Sequence, residues 1–348
     1  MDFAGLVGRE MTARSVEFAG PREVRVDERD VPDPDAGEVR VRTEVSAISP
    51  GTELLLYRNE VPDEMAADET IEALSGTFEY PLRYGYAAVG VVERVGEDVP
   101  ADWNGRRVFT FHPHESHFCF PVDELVAVPE TIPSETAALL ANAETAISFA
   151  LDGGPTVGER VAVYGQGIVG LLTTALLDCY PLDTLLTVDA IARRRTLSEA
   201  LGADESVTPT DDLDGRLDGD AGEPAGADLA YELSGNPEAL DAAIDATGYA
   251  GRVVIGSWYG EKRAELDLGH EFHRSRIRLQ SSQVSTIDPE RSGRWDKDRR
   301  VATAWNLLGG IDGSELLTHR VPVDRAPEAY RLLDERPEEA IGVVLTYD

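Results

Sequence analysis

The sequence predicts an α/β protein in which a doubly wound parallel sheet is inserted into a β-rich domain. Within residues 142–281, short apolar runs alternate with helix-compatible segments, the pattern of parallel strands joined by crossover helices. Before this region, apolar and polar residues alternate over 14–29 and 38–48, which is typical of antiparallel strands. We therefore predict one domain formed by 1–141 and 282–348, with the second domain, 142–281, inserted between them.

Individual elements follow from the same patterns. An alanine-rich helix is expected at Ser134–Leu140 with Ser134 as its N-cap, and a solvated loop at Thr210–Gly226. The tail predicts helices near 302–308 and 326–334. The strands expected in the inserted domain and the tail are Val161–Tyr164, Leu185–Val188, Leu229–Leu233, Arg252–Gly256 and Gly342–Tyr347.

A glycine-rich turn follows the first inserted strand, in the stretch R-V-A-V-Y-G-Q-G-I-V-G at Arg160–Gly170. Gly165 allows a tight turn, Gly167 lets the backbone approach a pyrophosphate, and Gly170 lets the next helix pack closely on the strand. A helix N-terminus placed there favours phosphate. The predicted cofactor-binding residues of this turn are Gly165, Gln166, Gly167, Ile168, Val169 and Gly170.

Asp189 ends the next predicted strand, where a carboxylate would accept hydrogen bonds from ribose hydroxyls. This position favours NAD(H). Arg193, Arg194 and Arg195 follow closely, and Arg194 is a candidate for contact with the cofactor, so NADP(H) stays an alternative. The other interpretation of Asp189 is an ordinary exposed turn residue.

The charge is strongly acidic, with 65 Asp and Glu against 32 Lys and Arg, for a formal net charge of −33. Only Lys262 and Lys297 are lysines. Acidic residues spread along the whole chain indicate a surface adapted to high salt, as in halophilic proteins. A disordered acidic tail, or a surface for cationic partners, would instead need the charge in blocks. At this charge, repulsion disfavours binding to nucleic acid or to an anionic membrane surface, and neither is expected as a partner.

Two cysteines, Cys119 and Cys179, exclude a disulfide framework and a cysteine-rich metal site. No apolar run approaches the roughly 20 residues of a membrane span. We therefore expect a cytoplasmic protein that acts on a small-molecule substrate.

These landmarks together resemble the medium-chain dehydrogenase/reductase superfamily, which includes zinc alcohol dehydrogenases. The resemblance implies a GroES-like catalytic domain around a Rossmann NAD(P) domain, with the active site in the cleft between them, and a homodimer or homotetramer. It also implies cofactor contacts from Ser234, Gly256 and Ser257. The motifs that carry it are G-T-E at Gly51–Glu53, Pro81–Val92, Gly105–Phe109, the glycine turn, E-x-S-G at Glu232–Gly235, Gly251–Gly256 and the closing strand.

The departures from this family concern zinc. Where its zinc dehydrogenases carry a cysteine, a His-Glu pair and often a second cysteine, this chain has Pro50, Tyr86 with Ala87, and Ala141. None of these side chains ligates zinc. The chain therefore resembles a zinc-independent branch, most nearly the one that contains bacteriochlorophyllide a dehydrogenase.

Without a metal, polar side chains must stabilise charge on the substrate oxygen. Tyr86 is the first candidate, as general acid or base, although a tyrosine packed in the cleft wall is the alternative. Thr52 resembles the family's proton-relay hydroxyl, and Glu53 is expected to brace an arginine rather than to catalyse. Asn142 and Glu144, near the domain junction, are candidates for facing the substrate.

Three histidines, His112, His114 and His117, lie within six positions. One interpretation is a metal site, since imidazole is a common ligand. We favour the other, in which His117 lies along the cleft and the rest are surface or hydrogen-bonded residues.

The sequence thus predicts a zinc-independent NAD(P)(H)-dependent oxidoreductase that moves hydride to or from an alcohol/carbonyl pair or an activated C=C bond. Two alternatives stay open: a cofactor-binding sensor or scaffold that has lost catalysis, and a zinc-dependent alcohol dehydrogenase that uses the histidine loop.

Overall fold

The computed structural model describes residues 12–62, 77–211, 213, 215–217 and 225–348. The strands form a two-stranded hairpin, a seven-stranded sheet and a six-stranded sheet. In chain order they are β1 (Thr12–Gly20), β2 (Glu23–Asp30), β3 (Glu38–Ile48), β4 (Ala88–Val95), β5 (Arg107–Thr110), β6 (His117–Pro121), β7 (Val126–Ala127), β8 (Arg160–Tyr164), β9 (Thr184–Val188), β10 (Glu205–Val207), β11 (Ala227–Glu232), β12 (Thr247–Ile255), β13 (Arg278–Ser281), β14 (Leu317–Pro322) and β15 (Gly342–Thr346).

The seven-stranded sheet has the order β14-β15-β3-β4-β5-β7, and β6 pairs with β3. Strand β3 spans the predicted range, 38–48. Alternate residues along its first half are buried, as expected for a strand with one face against the core. The tail returns to this sheet: β15 runs antiparallel to β3, with Val344 opposite Ala47. Both ends of the chain thus share one β-rich unit.

The six-stranded sheet is parallel and has the order β10-β9-β8-β11-β12-β13. Every residue of β8 is buried, as expected for a central parallel strand covered on both faces. The chain moves from β8 to β9 on one side and then crosses to β11 on the other. Such a switch in strand order opens a crevice at the carboxyl ends of the strands, which is where α/β proteins bind ligands. The predicted α/β fold class is confirmed.

The helices are α1 (Pro50–Arg58), α2 (Ser134–Ala137), α3 (Leu140–Gly153), α4 (Ile168–Leu177), α5 (Ala192–Ala200), α6 (Pro237–Asp245), α7 (Glu271–Arg274), α8 (Lys297–Gly310), α9 (Gly313–Leu316) and α10 (Ala326–Glu335). Among the described residues, no helix is long and apolar enough to cross a membrane.

The predicted helix Ser134–Leu140 needs correction. It is only the short α2, whose N-cap is Pro133, and the hydroxyl of Ser134 donates to Glu44 (2.7 Å) instead of capping. The longer α3 begins at Leu140 and was not predicted, since no capping residue marks its start. Much of the predicted loop Thr210–Gly226 lies outside the described residues.

A buried ion pair joins α3 to α8. The guanidinium of Arg300 donates to Glu144 from Nε (2.9 Å) and Nη2 (2.8 Å), and from Nη1 to Ser148 (3.1 Å). Both side chains of the pair are at most 4% exposed. A charge buried this deeply requires its partner.

Replacing Arg300 by methionine is expected to lower the free energy of unfolding by about 3 to 5 kcal/mol, because it leaves the Glu144 carboxylate buried and uncompensated. Chemical denaturation in molar salt measures the loss. The control is Arg299→Met on the exposed face of the same helix, where the guanidinium covers Trp295 and donates to the exposed backbone oxygen of Arg294, with an expected loss of about 1 kcal/mol or less. Equal losses for the two variants would contradict this assignment.

Candidate active site

The glycine turn after β8 has two tightly packed glycines and one open one. Gly165 has φ of +93°, and a Cβ there would lie 2.6 Å from the backbone of Ser234. A Cβ on Gly170 would lie 1.9 Å from the carbonyl oxygen of Gly165. At Gly167, the N-cap of α4, a Cβ would meet no atom within 4 Å. The space over Gly167 is therefore open, while its neighbours are fixed by packing.

The amino end of α4 faces this open space. No side chain caps it, so the first-turn N–H groups at Ile168 and Val169 are not satisfied by a capping residue. Unsatisfied amides at the positive end of a helix dipole suit a pyrophosphate. The residues of this turn thus fit the phosphates of a dinucleotide.

Asp189 is 7% exposed and ties the turn to the neighbouring strand. One carboxylate oxygen accepts from the backbone N–H of Gln166 (2.7 Å) and the other from that of Ile191 (2.8 Å). The side chain of Gln166 is buried beneath the turn, where its amide oxygen accepts from Thr174 (2.9 Å). Gln166 can therefore contact a cofactor only through its backbone.

Arg194 reaches away from the turn. Its guanidinium donates to the backbone oxygens of Pro337 and Ala340, both at 3.0 Å, in the segment that precedes β15, and lies 3.9 Å from Asp189. Burial lowers the pKa of Arg194, and Asp189 opposes that shift. The predicted cofactor contact of Arg194 is thus replaced by a contact between the two units of the chain.

Ser234 and Ser257 organise the loop after β11. The buried carboxylate of Glu232 accepts from the backbone N–H of Ser234 (2.7 Å), from its hydroxyl (2.5 Å) and from the hydroxyl of Tyr259 (2.5 Å). Burial, together with this bond, raises the pKa of Tyr259 well above its usual value. The hydroxyl of Ser257 accepts from the backbone N–H of Gly235 (2.9 Å). The roles of Glu232 and Tyr259 were not predicted, although the E-x-S-G motif contains the carboxylate.

Gly256, at the end of β12, is fixed by packing. A Cβ there would lie 2.4 Å from the ring of Phe149 on α3. Its glycine identity is therefore explained without a cofactor.

A cluster of three hydroxyls lies at the start of α1. The phenol of Tyr86 donates to the hydroxyl of Ser49 (2.5 Å) and lies 3.2 Å from that of Thr52. Tyr86 is partly exposed. Tyr86 and Thr52, which were predicted from separate motifs, are thus brought together, and Ser49 is a member that sequence reasoning missed. We call Tyr86, Ser49 and Thr52 the hydroxyl cluster.

Aromatic contacts connect the hydroxyl cluster to the parallel sheet. Trp258 follows the carboxyl end of β12, and its ring centroid lies 6.1 Å from that of Phe78. Phe78 lies 6.0 Å from Tyr84, which in turn lies 6.0 Å from Tyr86. The hydroxyl cluster therefore lies on the side of the molecule where the strands of the parallel sheet end, as the glycine turn does.

Glu53 lies behind the hydroxyl cluster and is completely buried. It accepts from the backbone N–H of Ser49 (2.7 Å), from the hydroxyl of Tyr330 (2.6 Å) and from Nε2 of His114 (3.1 Å). The prediction that Glu53 braces an arginine is wrong, because a histidine, a tyrosine and a backbone amide provide its donors. No contact to the hydroxyl of Tyr86 is among these bonds.

The three histidines face different surroundings. His112 stacks on Phe118 with ring centroids 3.8 Å apart, His114 is buried beside Glu53, and Nδ1 of His117 lies 3.2 Å from the hydroxyl of Ser116. His117 belongs to β6, opposite Arg42 of β3, and the structure does not bring it to the hydroxyl cluster. His114 is the histidine nearest to that cluster through Glu53.

The two other polar candidates lie on α3. Glu144 is occupied by Arg300 in the buried ion pair, so it does not face a substrate as predicted. Asn142 is 5% exposed. The structure thus does not join either residue to the hydroxyl cluster through a described hydrogen bond.

The residues present do not fit a catalytic zinc ion. Pro50, Ala87 and Ala141 offer no ligating atom, and the phenol of Tyr86 bonds to Ser49. Within the described ranges, no group of three His, Cys, Asp or Glu side chains could hold a metal ion. No step through zinc follows from this site.

Comparisons with known proteins agree with the fold. A family model described as zinc-binding dehydrogenase matches residues 169–297. The chain is 26% identical over 327 residues to D-guloside 3-dehydrogenase of Escherichia coli K12, covering 90% of this chain and 93% of that one. It is 26% identical over 342 residues to L-threonine 3-dehydrogenase of Anaeromyxobacter sp. Fw109-5, covering 87% and 91%.

A solved structure shows the same architecture. A short chain alcohol dehydrogenase from Escherichia coli CFT073, complexed with NADH, superposes with a TM-score of 0.76 at 20% identity, covering 97% of this chain and 99% of that one. The matched family model, the two relatives and the shared architecture together support an NAD(P)-dependent oxidoreductase similar to the medium-chain dehydrogenase/reductase superfamily.

Proposed function

We propose that this protein transfers hydride between NAD(H) and an alcohol/carbonyl substrate without zinc, with Tyr86 as the proton donor and acceptor. The observation that carries the proposal is the hydroxyl cluster, where Tyr86 stands at a position that provides a zinc ligand in zinc-dependent members of the family. General acid–base catalysis requires a group within hydrogen-bonding reach of the reacting oxygen, and a partly exposed phenol provides one.

The cofactor supplies the hydride donor or acceptor. The protein's own part is to bind, orient and move a proton. During reduction, the phenol of Tyr86 donates to the carbonyl oxygen as negative charge develops there. Hydroxyl hydrogens rotate, so Ser49 can then donate to the phenol oxygen of Tyr86 and stabilise the charge left on it. Thr52, 3.2 Å from the same phenol, is a second donor.

The substrate class follows from the relatives. Two of them are named for dehydrogenation at position 3 of D-guloside and of L-threonine, which supports an alcohol/carbonyl pair over an activated C=C bond. We propose a secondary alcohol or its ketone as the substrate. The neutral hydroxyl cluster suits either partner, since each hydroxyl can donate or accept a hydrogen bond.

The preference for NAD(H) rests on Asp189. Its carboxylate is held at the end of β9 by two backbone amides, and the nearby Arg194 is occupied by the carbonyls of Pro337 and Ala340. The 2′-phosphate of NADP(H) would lie close to the carboxylate of Asp189. Arg194, which already donates to two backbone carbonyls, would not be free to neutralise it. Repulsion between these anions favours the cofactor that lacks the phosphate.

We also propose that the protein works at high salt and assembles as a homodimer or homotetramer. The net charge of −33 supports the first point, because screening removes the self-repulsion of such a surface. The second rests on the resemblance to the family.

Gly167→Ala is expected to keep the melting temperature but to weaken NADH binding about tenfold or more, because the added Cβ enters open space that the pyrophosphate would fill. Calorimetry in molar salt measures both quantities. Gly170→Ala is the contrasting variant: its Cβ would meet the oxygen of Gly165 at 1.9 Å, so it should lose stability. Unchanged NADH affinity in Gly167→Ala would place the cofactor elsewhere.

Tyr86→Phe is expected to lower kcat about a hundredfold and to leave NADH affinity unchanged, since it removes only the proton donor. Steady-state rates of NADH oxidation with a panel of ketones, aldehydes, quinones and enones measure the effect. Tyr249→Phe serves as the control because that ring is 59% exposed. A wild-type rate in Tyr86→Phe would remove the phenol from the mechanism.

Asp189→Ser is expected to shift the ratio of NADPH to NADH affinity about tenfold toward NADPH, because it removes the carboxylate that would repel the 2′-phosphate. The ratio separates specificity from any general loss of binding. Asp183→Asn, exposed near the opposite end of β9, is the matched control. An unaltered ratio would show that Asp189 does not face the ribose.

A further inference from the structure

We propose that His114 is a positioning residue for Tyr86, acting with Glu53 to fix the two backbone segments that carry the hydroxyl cluster. The inference rests on the proposed function, because it adds a residue to that same site.

The buried carboxylate of Glu53 is the first support. Glu53, His114 and Tyr330 are all 0% exposed. A carboxylate at such a place is stable only when hydrogen bonds replace its water. Its three donors are the backbone N–H of Ser49, the hydroxyl of Tyr330 and Nε2 of His114. Removing one of them leaves part of a buried charge unsatisfied.

The hydrogen-bond partners of His114 identify the ring nitrogen that donates. Burial raises the pKa of the Tyr330 phenol, helped by Glu53, and burial also raises the pKa of Tyr347. Both phenols therefore keep their protons at neutral pH. The hydroxyls of Tyr347 and Ser46 lie 2.8 Å apart, and that of Ser46 lies 2.7 Å from Nδ1 of His114. Because a carboxylate only accepts hydrogen bonds, Nε2 of His114 carries the proton that is donated to Glu53 (3.1 Å).

The ring of His114 also touches the segment that carries Tyr86. Gly85 has φ of +128°, and a Cβ there would lie 2.7 Å from both Cδ2 and Nε2 of the imidazole. The ring therefore lies against the backbone of the residue directly before Tyr86. Only glycine leaves room for it.

The imidazole of His114 thus supports both backbone segments that carry the hydroxyl cluster, the one with Tyr86 and the one with Ser49. On one side it supports Gly85 and hence Tyr86. On the other it binds Glu53, whose second oxygen holds the N–H of Ser49. The phenol of Tyr86 and the hydroxyl of Ser49 meet at 2.5 Å, so a small displacement of either segment would break their bond. Misplacement of a catalytic group by about 1 Å can cost roughly a hundredfold in rate.

The test is a double-mutant cycle with His114→Leu in the wild type and in Tyr86→Phe. We expect His114→Leu to lower kcat about tenfold or more in the wild type, and less than about twofold when the phenol is already absent, with NADH affinity unchanged in both. His114→Gln, whose amide can still donate to Glu53, should recover most of the rate. His319→Leu, a half-buried histidine on β14, is the control and should be kinetically silent.

A second measurement does not depend on turnover. In protein labelled with ¹³Cζ-tyrosine, the resonance missing from Tyr86→Phe identifies Tyr86. That resonance should shift in His114→Leu and stay in place in His319→Leu. An equal fall in rate in both backgrounds, or a Tyr86 resonance that does not move, would overturn the inference. If the wild type oxidises no NADH with any carbonyl compound, the proposed function fails, and the resonance still decides whether His114 positions Tyr86.

Discussion

The buried charge of Glu53 is the constraint on which the β-rich unit and its site depend. A carboxylate without water must collect donors, and these come from the start of α1, from the loop before β6 and from α10. Tyr330 is separated from Glu53 by 277 positions in sequence. The last part of the chain must therefore return to the first, and the paired strands β3 and β15 extend that return into a sheet.

The glycine turn after β8 places a second and different constraint on the inserted unit. At Gly165 and Gly170 the limit is steric, because the backbone of the turn and the loop after β11 leave no space for a Cβ. At Gly167 packing imposes no such limit. A glycine with open space above it is explained by something outside the chain, which is why this residue carries more information about binding than its two neighbours.

Local patterns allowed much of the fold to be predicted. Strand β3 follows from the alternation of apolar and polar residues, and the glycine turn follows from the spacing of its glycines. Each of these patterns lies within a short stretch of sequence. The wrong predictions for Glu144 and Glu53 have a different origin, because the partners of both residues are distant in sequence. Arg300 is 156 positions from Glu144, and Tyr330 is 277 positions from Glu53. Likewise, nothing in the spacing of His112, His114 and His117 distinguishes the one whose ring is enclosed by Glu53 and Ser46. Long-range pairing decided these roles, and a single sequence does not show it.

Arg194 joins the inserted unit to the β-rich unit through two hydrogen bonds. It belongs to α5 of the inserted unit, yet its guanidinium donates to the carbonyls of Pro337 and Ala340 in the segment that leads into β15. Separation of the two units would break both of these hydrogen bonds. The guanidinium would keep its neighbour in the inserted unit, the Asp189 carboxylate at 3.9 Å. The two hydrogen bonds of Arg194 therefore oppose separation of the units at this point, as does the bond from the backbone N–H of Glu261 to the carbonyl of Glu60 (3.0 Å).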